Sequence, residues 1–147
     1  MQKLNQQATK IFCHLLSKLK DEVYIQLSSD GFMPLSLECI ATNITTAYGA
    51  ANLYSLSHTY TQNGDLMRDP EMCFFVIDKR GDPREYHLVE VYPQMYRQDN
   101  LGLYEESVSI EGGKFTIIKA WQKGHRNFAN QWMKNIKEQG FLKRPKK

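Results

Sequence analysis

The chain has 147 residues, enough for one domain with its own core, of which 41% are apolar, 12% aromatic and 24% charged, with a mean hydropathy of -0.54. This composition excludes a disordered or fibrous protein, and no apolar run approaches the ~20 residues needed to cross a bilayer. The net charge of +3 is uneven: residues 134–147 hold six Lys/Arg against one Glu, a local +5, so residues 1–133 net to -2 and the basic character is terminal.

Taken in chain order, Leu4, Ala8, Ile11, Phe12, Leu15, Leu16 and Leu19 recur at spacings of three and four. That spacing predicts an amphipathic helix over residues 3–20. The same stretch has neither the continuous apolar region nor the small-residue cleavage site of a signal peptide; its lack of acids leaves a transit peptide as a lesser reading. The period then changes to two. Val23, Ile25 and Leu27 predict one strand, and Leu35, Leu37, Cys39 and Ala41 a second. "TTAYGAAN" (45–52) reads as a loop or weak connection. Residues 53–61 form a strand with Tyr54, Leu56, His58 and Tyr60 on one face. Asn63-Gly64-Asp65 supplies the positive-φ residues of a tight turn. "MCFFVI" (72–77) is a continuous apolar run, as a central strand requires. Residues 85–92 and 101–110 are two further strands, and "EGG" (111–113) turns the chain into "KFTIIKA". Trp121, Phe128, Trp132 and Ile136 mark the buried side of a C-terminal helix that Gly140 terminates, with Pro145 beyond.

The order helix, strands, helix predicts a single α+β domain over residues 1–142, followed by a basic tail at 143–147. The expected architecture is an antiparallel meander of five or six strands with both terminal helices packed on one face.

Cys13, Cys39 and Cys73 are far apart and sit in apolar runs. They read as buried, reduced thiols rather than as metal ligands or a nucleophile, and suit a reducing compartment. There is no Gly-rich phosphate loop and no Gly-x-Ser-x-Gly nucleophile motif.

"HTYTQNGDLMRDPEM" (58–72) concentrates the chemistry. His58, Asp65, Asp69 and Glu71 could together hold Mg²⁺ or Mn²⁺, since a hard cation takes several carboxylate oxygens and His58 could ligate or act as a base. Turn chemistry competes with that reading. Asp65 follows Asn63-Gly64, Asp69 precedes Pro70, Arg68 could pair with the acids, and His58 shares a face with apolar residues. A third reading makes the stretch a recognition surface, since loops on a rigid sheet commonly carry binding. Its contact residues would be Tyr60, Asn63, Asp65, Arg68 and Asp69, with Asp99 and Asn100 from the "RQDNLGLY" segment (97–104).

Lys119, Lys123, Arg126, Asn130, Lys134 and Lys137 fall along one line of the C-terminal helix, which the tail continues. Nucleic acid or an acidic protein could dock there through phosphates or carboxylates, although a solvated outer face is the ordinary reason for such a line. No helix-turn-helix, RNP or zinc pattern accompanies it.

Three fragments, "GFMPLSLECI", "SLSHTYTQNGDLMRDPEMCF" and "MYRQDNLGLYEE", resemble a family of small proteins labelled as a domain of unknown function, found in phages and bacterial mobile elements. The pattern is His-x-Tyr (His58, Tyr60), Gln-Asn-Gly-Asp (62–65), Asp-Pro-Glu-Met (69–72) and a later Gln-Asp-Asn-x-Gly-x-Tyr (98–104). The resemblance implies a protein acting in the cytoplasm of a bacterial host and imports no catalytic mechanism. The expected function is a non-enzymatic accessory protein that binds a host or element macromolecule, defence systems included. The alternative is a metal-dependent hydrolase acting on nucleic acid or another phosphate ester.

Overall fold

The computed structural model describes residues 1–143; all of the basic tail beyond Lys143 lies outside the described residues. The N-terminal helix α1 (Gln6–Ser17) is shorter than the apolar spacing predicts, because Asn5 caps it: its side chain accepts the Ala8 amide at 2.8 Å. Leu4 and Leu19, just outside, still contribute buried side chains.

Six strands then form one antiparallel meander: β1 (Tyr24–Leu27), β2 (Leu35–Thr46), β3 (Gly49–Gln62), β4 (Asp65–Asp78), β5 (Val89–Gln98) and β6 (Leu103–Glu106), hydrogen-bonded in that order. A separate two-stranded hairpin follows, β7 (Val108–Glu111) with β8 (Lys114–Ile117), and then helix α2 (Lys119–Glu138). Gly140, at φ +88°, ends α2 with the Phe141 amide reaching back to the Ile136 carbonyl, a Schellman-type termination.

Three expectations need correction. Residues 45–52 are not a loop but the tip of a long β2–β3 hairpin. Thr46 holds the tip, its Oγ1 donating to the Gly49 carbonyl at 2.7 Å and accepting the Tyr48 amide at 3.1 Å. The strand expected at 85–92 starts later and runs on to Gln98, with a register shift where Pro93 meets the β4 ladder. The strand expected over 101–110 is two strands of different sheets. At Ser107 the chain leaves β5, its amide and hydroxyl both donating to the Gln94 carbonyl (2.9 and 3.1 Å).

The two sheet faces differ. On one, Leu35, Leu37, Leu56, Met72, Phe74, Val76 and Val91 meet Phe12 and Leu15 of α1 and Ala129, Met133 and Ile136 of α2. Each fully buried side chain of this size contributes about 1.5–3 kcal/mol, so this layer holds the domain together. On the other, a smaller core of Ala51, Phe75, Ile77, Tyr92 and Val108 is roofed by the β7–β8 hairpin. The roof lies at the β2–β3 tip end of the sheet.

The buried stripe of α2 also differs from the expected one. It runs Gln122, His125, Ala129, Trp132, Met133, Ile136, while Trp121 and Phe128 stay 39% exposed. Gln122 is tolerated inside because its amide pairs both ways with the Gln2 backbone, accepting from N at 2.9 Å and donating to O at 2.7 Å.

Candidate functional site

The "HTYTQNGDLMRDPEM" stretch spans the end of β3, the turn and the start of β4. Asn63 (φ 52°) and Gly64 (φ 83°) make the two-residue turn, whose positive φ values match the twist of the strands it joins. Gln62 and Asp65 close it as a ladder pair, both exposed. Tyr60 pairs with Met67 and Thr59 with Arg68, each half-buried.

Strand alternation then separates the four candidate ligands. His58 lies on the helix side, 7% exposed, tilted against Trp132 and Phe141, with Nδ1 at 3.1 Å from the Met33 carbonyl and 3.3 Å from that of Pro34. Burial pushes its imidazole below the ordinary value, against the opposing pull of those carbonyls and of the Asp69 charge. Glu71 pairs in register with Ser57 and bonds Ser55, so it points through the opposite, helix-free face. Asp65 is out at the turn, and Asp69, ahead of a cis peptide to Pro70, sits near enough to His58 and Tyr96 to act on both by charge. The four groups do not converge, and among the described residues no three His, Cys, Asp or Glu side chains gather as a metal site would require.

The structure does bring together Arg68 and Asp99, 31 positions apart in sequence. Asp99 begins a short 3₁₀ turn (Asp99–Leu101) that carries the exposed Asn100 and closes at Gly102, φ 61°. The Asp99 carboxylate accepts the Arg68 backbone amide at 2.9 Å and Arg97 Nε at 2.6 Å, with Arg68 Nη1 at 3.8 Å. Burial alone would raise its pKa; the Arg68 amide and the Arg97 guanidinium outweigh that and hold it below the ordinary carboxylate value. Glu71 completes a grid on the same face: Ser55 Oγ donates to it at 2.5 Å, Arg68 Nε lies at 3.6 Å and Arg97 Nη1 at 4.0 Å.

Two arginines and two carboxylates therefore alternate across β4, β5 and the 3₁₀ turn that follows it, with no net charge. Beside them, Ser36, Ser55 and Ser57 are too small to fill the surface, and a shallow polar depression of about 220 Å³ results, rimmed by Tyr24, Leu66 and Arg68. Tyr24 (48% exposed), Leu66 (55%), Leu101 (67%) and Tyr104 (58%) flank this face. The arrangement supplies directional donors and acceptors held in place, next to exposed aromatic and aliphatic surface. Groups of these kinds, side by side, are those that recognition surfaces are built from.

Sequence reasoning passed over Ser55 and Tyr24, and held Arg97 within the "RQDNLGLY" segment without naming it as a contact, because each acquires its place only through strand register. Alternation along 93–98 from Tyr92 would have put Arg97 on the Glu71 face only if the shift at Pro93 were known. It also passed over His125. The His125 ring is 4% exposed, clasped between Glu105 Oε1 (2.9 Å) and Ser107 Oγ (3.2 Å) and stacked on Tyr96. A Ser, a His and a Glu in contact suggest a nucleophile relay, but Ser107 is fully buried and its hydroxyl is directed at the Gln94 carbonyl. The trio ties α2 to β6. All three cysteines are free, and burial pushes the Cys73 thiol up to about 12, far from a reactive thiolate.

Along the expected basic line of α2, Lys119, Lys123, Lys134 and Lys137 are exposed and Arg126 is half-buried, while the neutral Asn130 accepts the Asn5 amide at 3.0 Å. Among the described residues no helix is long and apolar enough to cross a membrane.

No curated protein and no solved structure matches the chain. A family model described as "Domain of unknown function (DUF6908)" matches residues 6–142, and the chain belongs to that family.

Proposed function

We propose that the protein is a non-enzymatic accessory protein that binds a macromolecular partner through the helix-free face of its sheet. The observation that carries this reading is the Arg68–Glu71–Arg97–Asp99 grid. Its four side chains, from two adjacent strands and the 3₁₀ turn that follows the second, are fixed by one another and by Ser55, and exposed Tyr24, Leu66 and Tyr104 surround them. Side chains ordered before the partner arrives lose little entropy on binding, which is how a small surface reaches useful affinity. Of the other residues expected at the interface, Asn63 and Asp65 lie at the turn of the hairpin that carries Arg68, and Asn100 on the 3₁₀ turn that Asp99 begins; Tyr60 and Asp69 belong to the same hairpin, Asp69 within charge range of His58 on the helix side. The motif resemblance adds the setting: a phage or mobile element, the cytoplasm of its bacterial host, and a partner among host or element proteins, defence components included.

Capture from host lysate on the tagged protein tests the reading. The same partner should be lost with Arg68→Ala/Tyr104→Ala and with Asp65→Ala/Arg68→Ala, and kept with Lys137→Ala on the far side. Equal recovery by all four would remove the grid from the interface. The hydrolase alternative draws no support from the placement of His58, Asp65, Asp69 and Glu71, whose side chains are divided between two faces and a turn.

Nucleic acid along Lys119, Lys123, Arg126, Lys134 and Lys137 remains a separate, weaker proposal. It requires affinity that falls steeply with salt.

A further inference from the structure

Strand β6 is an edge: it has a strand neighbour on one side only, β5, and pairs with it in unbroken register from Leu103 to Glu106. Its four residues, Leu-Tyr-Glu-Glu, include no proline, no lysine and no bulge; its guards are its shortness and two glutamates, which oppose another acidic edge and leave it open to a strand of opposite charge. Beside it, on the helix side, runs a groove of about 320 Å³ lined mainly by apolar atoms of Tyr96, Leu103, Trp121, Gly124 and Phe128. Trp121 and Phe128 form its walls, each 39% exposed despite their size.

Gly124, in the second turn of α2, lines the groove with them. A mid-helix glycine costs about 1 kcal/mol relative to alanine. A Cβ added there would meet no atom of the described residues within 4 Å, so their packing gives no reason for it. A reason exists if something from outside approaches the helix closely between the two rings.

The charges at this edge select the occupant. Glu105 points to the helix side, against His125, and Glu106 to the other, where it is exposed and, among the described residues, bonded by Gln94 Nε2 alone at 3.1 Å. The exposed lysines of α2 lie on its other flank, where Asn130 meets α1. Phosphates would be repelled here, and a second copy, which would pair antiparallel about a two-fold axis, would crowd Glu105 and Glu106 of both chains into one four-residue ladder. A strand that alternates basic and apolar residues meets neither obstacle.

We propose that β6 accepts an extended peptide segment of a protein partner, alternating basic and apolar residues, which pairs along Leu103–Glu106 and seats an apolar side chain between Trp121 and Phe128 over Gly124. Main-chain bonds give such strand addition its affinity, and the pocket for alternate side chains its specificity. The inference rests on the binding reading above and adds the partner's chemistry; Tyr104, on the outer face of the same strand, joins the two surfaces.

The test pans a random-peptide library on the wild-type protein after depletion on Gly124→Leu, which fills the groove. Synthetic copies of the retained peptides are then titrated into ¹⁵N-labelled protein. The proposal expects peptides alternating Lys/Arg with apolar residues, and shifts and slowed exchange at the amides of 103–106 together with the Trp121 indole N–H. It expects affinity to fall about tenfold or more with Gly124→Leu and about tenfold with Glu106→Lys. Gly124→Ala, which favours the helix, checks that loss follows groove filling and not unfolding: it should bind less tightly while melting higher. Retained peptides of another pattern, or ones that bind Gly124→Leu as well as wild type, overturn the proposal. So does a wild-type dimer in sedimentation that Gly124→Leu dissolves, since the occupant is then a second copy. Peptides recovered from the depletion step that bind Gly124→Leu and wild type alike and are lost with Arg68→Ala support the binding reading without this inference; no retained peptide at all sinks this inference alone, and capture with Arg68→Ala/Tyr104→Ala decides the binding reading.

Discussion

Asp99 is the residue on which the grid's geometry turns, and Asp99→Ala makes that measurable. The substitution removes an acceptor from the Arg68 amide (2.9 Å) and from Arg97 Nε (2.6 Å) on a side chain only 16% exposed. The backbone bond is worth about 1 kcal/mol net, and the charged one about 1.5–3 kcal/mol when fully buried. Arg97 is 36% exposed, so water recovers much of the second. The sum comes to about 2 kcal/mol, or roughly 4–8 °C in Tm for a domain of this length. Asp99→Asn keeps an oxygen for the Arg68 amide and loses the ion pair, so it should cost about half as much.

The sign with pH follows from the depressed carboxyl. The stability that Asp99 contributes is complete above its unfolded-state value near pH 4 and is lost as pH falls through the lower folded-state value. The gap between wild type and Asp99→Asn in urea unfolding should therefore be full at pH 7 and close below pH 4. An Asp99→Ala cost under about 0.5 kcal/mol, or an Arg68 amide resonance that stays in place in the variant, would refute the reasoning.

Three further outcomes follow. His58 is buried with a depressed pKa, so the unfolded chain binds a proton that the folded protein excludes; stability should fall as pH drops below about 6.5, and His58→Leu should flatten that part of the urea-midpoint profile. Unchanged slopes in the two proteins would contradict the placement of His58. Gly64→Ala forces a Cβ into φ +83° at the turn between β3 and β4 and should cost about 1 kcal/mol in thermal unfolding, whereas an effect near zero would mean the turn is of another type. Mg²⁺ or Mn²⁺ at millimolar concentration should leave the amides of His58, Asp65, Asp69 and Glu71 without a common saturable shift, and one shared titration curve would revive the metal reading.

The fold was legible wherever the pattern of apolar residues was undisturbed. Alternation at Leu35–Leu37 and Tyr54–Leu56–His58 and the run Met72–Ile77 placed the central strands and their common face, and Asn63-Gly64 placed a turn. It failed where long-range pairing overrides local pattern. Thr46 and Gly49 look like loop residues until β2 and β3 are seen to pair through them, and Ser107 ends a strand only because Gln94 captures it. In α2, ranking by hydrophobicity favoured Trp121 and Phe128 over Gln122 and His125, although the latter two complete a regular stripe with Ala129, Trp132 and Ile136. The site was half legible. "RDPEM" and "RQDN" could be singled out by residue type, but that Arg68 meets Asp99, and that His58 and Glu71 face opposite ways, depends on register.

The most direct measurement of the binding reading compares partner capture by Arg68→Ala/Tyr104→Ala with that by wild type, after circular dichroism has established that both are equally folded. The account predicts that a partner recovered by the wild type disappears from the variant and returns with Lys137→Ala. A folded variant that retains every partner would show that the helix-free face is not where this protein binds.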